Sequence, residues 1–333
     1  MEQQRPERML RRFVGVGAVT RVTELGAGHV NRTWRVETDA DAYICQRLSR
    51  SALGGAADAL EHNYRLYAAA CDAARAELPD WTPPRWLRTE DGGFFCRDER
   101  GDAWRAYPMI RGRTFDTPDL PDAETIRRFA RGLTALHLVL DRFAAPPRTV
   151  IPHFHDLAHY YAAYREARES ERAVPAVNAR VEREMRGFTG APLLRQDAVI
   201  HADTRIGNAI FGADGGVIAF IDIDTISAGC RLIDAADSLR SVSCVRTAEG
   251  GRFDRAAFDA FVGALAGSPY RRPSAAELDA LPAYLLRVTF ELGLRYYTDY
   301  LRGNVYFRVS EPEETLRRAL AQLALLDEIR KAL

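Results

Sequence analysis

The stretch Val199-Ile200-His201-Ala202-Asp203-Thr204-Arg205-Ile206-Gly207-Asn208-Ala209-Ile210-Phe211, followed by Ala219-Phe220-Ile221-Asp222-Ile223-Asp224-Thr225, decides how this chain reads. Asp203 and Asn208 lie five residues apart on one predicted loop, and Asp222 closes the apolar run Val217–Ile221, which reads as a strand. Phosphoryl transfer to a hydroxyl asks a protein for a carboxylate to take the hydroxyl proton, oxygen ligands for Mg2+ and positive groups on the phosphates. A base and a metal ligand at the spacing H-x-D-x-x-x-x-N, with a second carboxylate delivered by the next strand, supply the first two. Either half alone arises easily by chance. Both together, joined through a hairpin turn at Gly212–Gly216, form a specific signal.

The composition sets the frame around this core. A chain of 333 residues is long enough for two lobes. With 47% hydrophobic and 28% charged residues it is an ordinary globular protein. Lys+Arg and Asp+Glu balance at 46 each, so no overall basic field draws it to nucleic acid or a membrane. Lys331 is the only lysine, a bias that a GC-rich genome accounts for. Any phosphate contact must therefore come from arginine, backbone N–H or metal. Cys45, Cys71, Cys96, Cys230 and Cys244 show no C-x-x-C pair and read as buried, reduced thiols. The N-terminal residues lack a signal-peptide core, and no run approaches the roughly 20 apolar residues of a membrane span. The expectation is a cytoplasmic protein, monomer or homodimer, that meets a small molecule and neither nucleic acid nor membrane.

Residues 1–110 read as a small β-rich lobe. Arg21–Leu25, Thr33–Thr38, Ala42–Leu48, Gly93–Arg97 and Trp104–Ile110 are β-prone, and Ala56–Ala74 has apolar residues at helical spacing. After a linker from Arg111, helical patterns dominate at about 122–140, 153–172, 176–187, 231–246, 253–266, 275–302 and 311–331, around one β island at Ala198–Phe220. The predicted fold class is α+β, a protein-kinase-like pair of lobes. Residues 1–110 would bind nucleotide, with a hinge at their end. Residues 111–333 would form a larger helical lobe with the catalytic loop, metal site and acceptor pocket.

The core resembles that of the aminoglycoside phosphotransferase-like superfamily of small-molecule kinases, and most of all the N-acetylhexosamine 1-kinase group. That group reads approximately H-N-D-T-K-x-x-N, V-I-D-L-D-T and Y-D-x-G-D-x-x-R; the counterparts here are His201–Asn208, Phe220–Thr225 and Ile233–Arg240. Outside the core, Gly26–Asn31 resembles its G-x-G-H-I-N loop, Tyr43–Arg47 its Y-I-L-Q-R strand, Ile151–Asp156 its I-P-x-F-H-N stretch, and Leu294–Phe307 its R-F-L-T-D-Y-L-x-G-D-x-Y-F stretch. The resemblance implies that Asp203 is the catalytic carboxylate and that Asn208 and Asp222 hold Mg2+, with Asp224 either assisting the metal or bracing the loop. His201 would pack and hydrogen-bond the loop, and Asp234 and Arg240 would form a structural pair beneath it.

On the nucleotide side, Gly26 and Gly28 lie between two predicted strands, which excludes a dinucleotide fingerprint, where the third glycine opens a helix. The loop, with His29 and Asn31, would bring backbone N–H groups to the phosphates of ATP or GTP. The lysine that kinases carry on the third strand is missing. Arg47 or Gln46 must fill its place, and since they face opposite ways only one can reach the cleft. Arg47 is preferred for its charge. Glu61 is either its helix partner or a solvent-facing acid, and Tyr107, Met109 and Ile110 form the hinge against which the base would lie.

On the acceptor side, Glu291, Arg295 and Asp299 recur every four residues on a predicted helix that is otherwise apolar all round, so this charged stripe is expected to face the cleft. His155, Asp156, Ala202, Arg205 and Tyr306 complete the acceptor candidates, with helix capping an equal reading of Asp156. Ala202 stands where the hexosamine kinases carry Asn, and Asn304 where they carry Asp. The functional expectation is a hexosamine 1-kinase-like sugar kinase. The alternative is an antibiotic O-phosphotransferase for self-resistance or biosynthesis, acting on an aminocyclitol, aminoglycoside or nucleoside antibiotic; a catalytically dead binding module is the remaining reading.

Overall fold

Alternation along the N-terminal strands separates an outer from an inner face of one antiparallel sheet. In the computed structural model, which describes residues 6–25, 31–49, 56–115, 121–188, 197–247 and 250–333, strands β1 (Val19–Leu25), β2 (Arg32–Thr38), β3 (Ala42–Arg47), β4 (Cys96–Arg97) and β5 (Ala103–Pro108) pair in the order β1-β2-β3-β5-β4. Trp34, Val36, Tyr43, Cys45, Trp104 and Ala106 pack on the outer face beneath a short helix, α1 (Pro6–Leu10), that the sequence pattern does not announce. Residues of opposite parity, Gln46, Arg105 and Tyr107 among them, point to the inner face. That face is backed by α2 (Ala57–Ala73), where Tyr64 stacks on Trp86 at 4.2 Å.

The helical lobe follows. It comprises α3 (Ala123–Leu140), α4 (Leu157–Ala167), α5 (Pro175–Phe188), α6 (Arg231–Ser243), α7 (Arg255–Ala266), α8 (Ala275–Leu301) and α9 (Glu314–Ala332). Asp122 caps α3, Asp254 caps α7, and Ser274 with Glu277 forms a capping box on α8. Three two-stranded pairs sit among them: β6 (Ala198–Ile200) with β9 (Ser227–Gly229), β7 (Ala209–Phe211) with β8 (Val217–Phe220), and β10 (Cys244–Thr247) with β11 (Gly250–Phe253). The last corrects the expectation of a helix through residue 246, since α6 stops at Ser243. The expected helix from 153 also starts later, at Leu157, because His153 and His155 both have positive φ.

One close approach places the β7–β8 hairpin. Gly132 on α3 lies against β8, and a Cβ there would sit 2.4 Å from Val217 Cβ. The helix thus lies flat on the β7–β8 hairpin, with Phe129, Phe211, Phe220 and Phe261 filling the space between. The sheet lobe meets the helical lobe just beyond this hairpin, where Arg105 and Asn31 reach Asp224. Asn63 of α2 donates to the carbonyls of Arg148 and Ile226, tying the inner helix of the sheet to the helical lobe. All five cysteines are free, three buried and two half-buried, as expected of structural thiols. Among the described residues no helix is long and apolar enough to cross a membrane.

Candidate active site

The loop after β6 is held from below by one carboxylate. Asp234, fully buried at the start of α6, accepts the backbone N–H of His201 at 3.0 Å and of Ala202 at 2.7 Å, and lies 3.1 Å from His137 Nε2. Burial works against its ionisation, but His137 and the His201 N–H outweigh it and keep its carboxyl below the usual range. His201 accepts from the Asp203 N–H and reaches the Ile221 carbonyl through Nε2, so it braces the loop, as expected. Arg240 pairs with Asp237 at 2.6 Å, which corrects the expected Asp234–Arg240 pair.

Ala202 adopts φ +67°, a left-handed conformation that costs an alanine roughly 1–2 kcal/mol. Its side chain is buried, so it offers the cleft no side-chain contact. The kink turns Asp203 outward. Asn208 Nδ2 donates to Asp203 Oδ2 at 2.8 Å and to the Asp203 carbonyl at 2.9 Å, and Arg205 Nε lies 3.8 Å from Oδ1. Asp203 is half-buried, fixed through one oxygen with the other near a cation.

Asp222, two residues beyond β8, adopts φ +63°, a conformation aspartate tolerates better than most residues. Burial, then the negative charges of Asp224 and Asp203, push its carboxyl up to about 7. It makes no side-chain hydrogen bond among the described residues, and Asn208 turns its Nδ2 towards Asp203, leaving Oδ1 for another partner. Hard oxygens at a crowded negative site suit Mg2+, which takes one or two protein oxygens and completes its shell with water and phosphate. Among the described residues no cluster of three or more His, Cys, Asp or Glu that could hold a metal ion is found.

Asp224 is engaged differently. Arg105 on β5 grips both its oxygens, with Nη1 on Oδ1 and Nη2 on Oδ2, and Asn31 donates to Oδ2 at 3.1 Å. The pair is almost wholly buried. Burial lowers the readiness of Arg105 to stay charged, and Asp224 more than offsets this. Gln46, opposite Arg105 in the sheet register, accepts from its Nε at 2.8 Å, and Trp86 lies 4.6 Å from the guanidinium. Nothing in the β3 pattern points to Arg105. The only available signal was the alternation in Trp104-Arg105-Ala106-Tyr107, which puts an arginine on the inner face of a chain short of lysine.

The preference for Arg47 is overturned. Arg47 lies on the outer-face parity and pairs with Asp102 at 3.4 Å, while Gln46 faces the cleft. Glu61 is not brought to either; it pairs with Arg65 one helical turn away. At the hinge, Tyr107 is buried and the Met109 N–H donates to Ala42 O, so that N–H is not available to a base, and Ile110 follows it out of the sheet. Gly26, Gly28 and His29 lie outside the described residues.

On the acceptor side, His155 links two elements. Its Nε2 donates to the Ala202 carbonyl at 2.7 Å, and its Nδ1 lies 2.9 Å from Glu291 Oε1 on α8. Burial would lower its pKa, but Glu291 raises it to about 9, so His155 is an imidazolium at neutral pH. Glu291 Oε2 is buried with no hydrogen-bond partner. One turn on, the Arg295 guanidinium stands 5.1–5.8 Å from the rings of Tyr160, Phe154, Tyr306 and Phe307. Asp299 does not join them. Its carboxylate accepts the N–H groups of Val305, Tyr306 and Phe307, shaping the loop that carries Tyr306 over Arg295. Asp156 caps α4 through the His159 N–H. The structure thus joins His155 and Glu291 to the loop that carries Asp203, sets Arg295 among the rings of Phe154, Tyr160, Tyr306 and Phe307, and gives Asp299 and Asp156 structural tasks.

A strand-rich lobe over a helical one, with a carboxylate loop and an acidic strand end between them, defines a small-molecule kinase of protein-kinase-like architecture. Residues 21–273 match the phosphotransferase enzyme family APH, and the chain belongs to that family. It is a phosphotransferase whose acceptor is a hydroxyl of a small molecule. The fold is similar to that of a spectinomycin phosphotransferase solved with ADP and spectinomycin (12% identity, TM-score 0.60, 98% of this chain and 97% of that one). It is also similar to a microcompartment-associated aminopropanol kinase (16%, 0.62, 98% and 96%) and to an aminoglycoside 2'-phosphotransferase in its GDP complex (13%, 0.62, 97% and 95%).

Proposed function

We propose that the protein transfers the γ-phosphoryl group of ATP or GTP to a hydroxyl of a neutral sugar, in the manner of a hexosamine 1-kinase. Asp203 takes the proton as the acceptor oxygen attacks phosphorus, and the nucleoside diphosphate leaves. Asn208 holds Asp203 in place through Nδ2. Asn208 Oδ1 and Asp222 would hold Mg2+, which neutralises phosphate charge when bound. Arg205, whose Nε lies 3.8 Å from Asp203, would meet the transferred group.

The observation that carries the acceptor class is the charge of its pocket. Glu291 is matched by His155 and Asp237 by Arg240, while Arg295 has no carboxylate partner among the described residues. A polycationic aminoglycoside would meet an uncompensated guanidinium there. A hexosamine whose amine is acylated carries no charge, and its hydroxyls and carbonyl suit the Arg295 guanidinium. The similarity to the spectinomycin phosphotransferase supports the second reading, an antibiotic acceptor for self-resistance or biosynthesis. A screen of N-acylated hexosamines, free hexosamines and aminocyclitols, read as the mass gain of one phosphate, decides between them. Modification of the aminocyclitols alone would refute the neutral-sugar reading.

A further inference from the structure

We infer that Arg105 is the cation that grips the donor's phosphates, and that its pair with Asp224 replaces the lysine–glutamate pair of the kinase plan with one that crosses between the lobes. This rests on the donor reading of the cleft given above. In kinases a strand lysine contacts the α- and β-phosphates and is steadied by an acid on a helix of the same lobe. Here that strand offers Gln46, which is uncharged and whose Oε1 already accepts from Arg105. Arg47 is on the other parity with Asp102, and Glu61 is spent on Arg65. Arg105 reaches the same inner face from the neighbouring strand, in direct register with Gln46.

Its hydrogen-bond inventory leaves N–H groups unassigned on a side chain that is 2% exposed, so the phosphates would have to displace what now covers it. A guanidinium has five N–H groups. One goes to Gln46 and one from each terminal nitrogen goes to Asp224; the other two have no acceptor among the described residues. The planar fork can clasp a carboxylate along one edge and still offer N–H groups to phosphate oxygens. Asp224 has both oxygens taken, by Arg105 and Asn31, whereas Asp222 has no side-chain hydrogen bond. The division of labour follows: Asp222 faces metal, and Asp224 serves Arg105. Because Arg105 and Asn31 belong to the sheet lobe and Asp224 to the helical lobe, the phosphates meet a cation whose position already depends on both.

The test compares binding of a nucleoside diphosphate with that of its nucleoside, ADP against adenosine and GDP against guanosine, by calorimetry with Mg2+ and with EDTA. Arg105→Lys keeps a charge beside Asp224. It should weaken diphosphate binding about ten- to hundredfold, the worth of one or two charge-assisted hydrogen bonds. Nucleoside binding should stay at the parent's level, and the loss should persist in EDTA. Arg47→Ala, on the outer parity, should leave both affinities within about twofold. Should Arg105→Lys not fold, the double variant Arg105→Gln, Asp224→Asn leaves no buried charge and gives the same contrast. Equal weakening of nucleoside and diphosphate, or weakening of neither, overturns the phosphate role of Arg105. A parent protein that binds no diphosphate refutes the donor reading itself, and the inference with it.

Discussion

His155 donates through Nε2 to the carbonyl oxygen of Ala202 at 2.7 Å, so a half-buried imidazolium holds the residue directly before Asp203. Its charge is sustained by Glu291 on α8, with Asp237 on α6 adding to the same field. A histidine raised from 6.5 to about 9 stabilises the fold fully below pH 6.5 and loses that contribution as pH rises through 9. The amount is at most roughly 3 kcal/mol. Melting temperatures should therefore fall more steeply between about pH 6.5 and 9 for the parent than for His155→Gln. Parallel curves would remove the imidazolium from the account.

Asp203→Asn keeps the side chain's shape and removes its basicity. We expect kcat to fall by roughly 10²–10⁴-fold, the usual scale of general-base help, with diphosphate affinity unchanged. Single-turnover rates and calorimetry on the same preparation check both halves.

Ala202→Gly should stabilise the protein. The left-handed φ of +67° penalises a Cβ by roughly 1–2 kcal/mol, and glycine's greater unfolded-state entropy returns about 0.5–1 of this. A net gain of about 0.5–1 kcal/mol in denaturant unfolding is the expected outcome. A loss would mean that the Asp234 and His155 hydrogen bonds depend on the methyl group's packing.

Asp299→Asn should damage the acceptor half alone. The amide cannot accept three N–H groups as the carboxylate does, so the loop carrying Tyr306 and Phe307 loosens around Arg295. Acceptor KM should rise by about tenfold or more, one charge-assisted hydrogen bond's worth. The KM for the nucleotide should hold. Equal changes in both would point to general unfolding.

Much of the architecture is legible along the chain because the information is local. Apolar periodicity places α3, α6, α7, α8 and α9 within a few residues of their observed ends. The four-residue spacing puts Glu291 and Arg295 together on one face. What escapes is set by partners distant in sequence. Arg105 acquires its role from strand register and from Asp224, 119 residues away. Asp299 shares the stripe's spacing with Glu291, yet the chain folds back after α8 and presents it with three backbone N–H groups. The β10–β11 hairpin is decided by α9, against which Gly251 packs so closely that a Cβ would lie 2.9 Å from the Ala321 carbonyl.

The long helix α8 has a consequence for how such an enzyme diverges. Glu291 reaches the loop before Asp203 through His155, Arg295 stands among the rings of Phe154, Tyr160, Tyr306 and Phe307, and Asp299 ties down the loop that carries Tyr306, all on three successive turns. The groups proposed for the donor side, Asn31, Gln46, Arg105, Asn208, Asp222 and Asp224, all come from other segments. Exchanging residues 291–307 for a related segment would retune what is phosphorylated while the phosphorylating apparatus is inherited intact. For an engineer, that stretch is the cassette to vary.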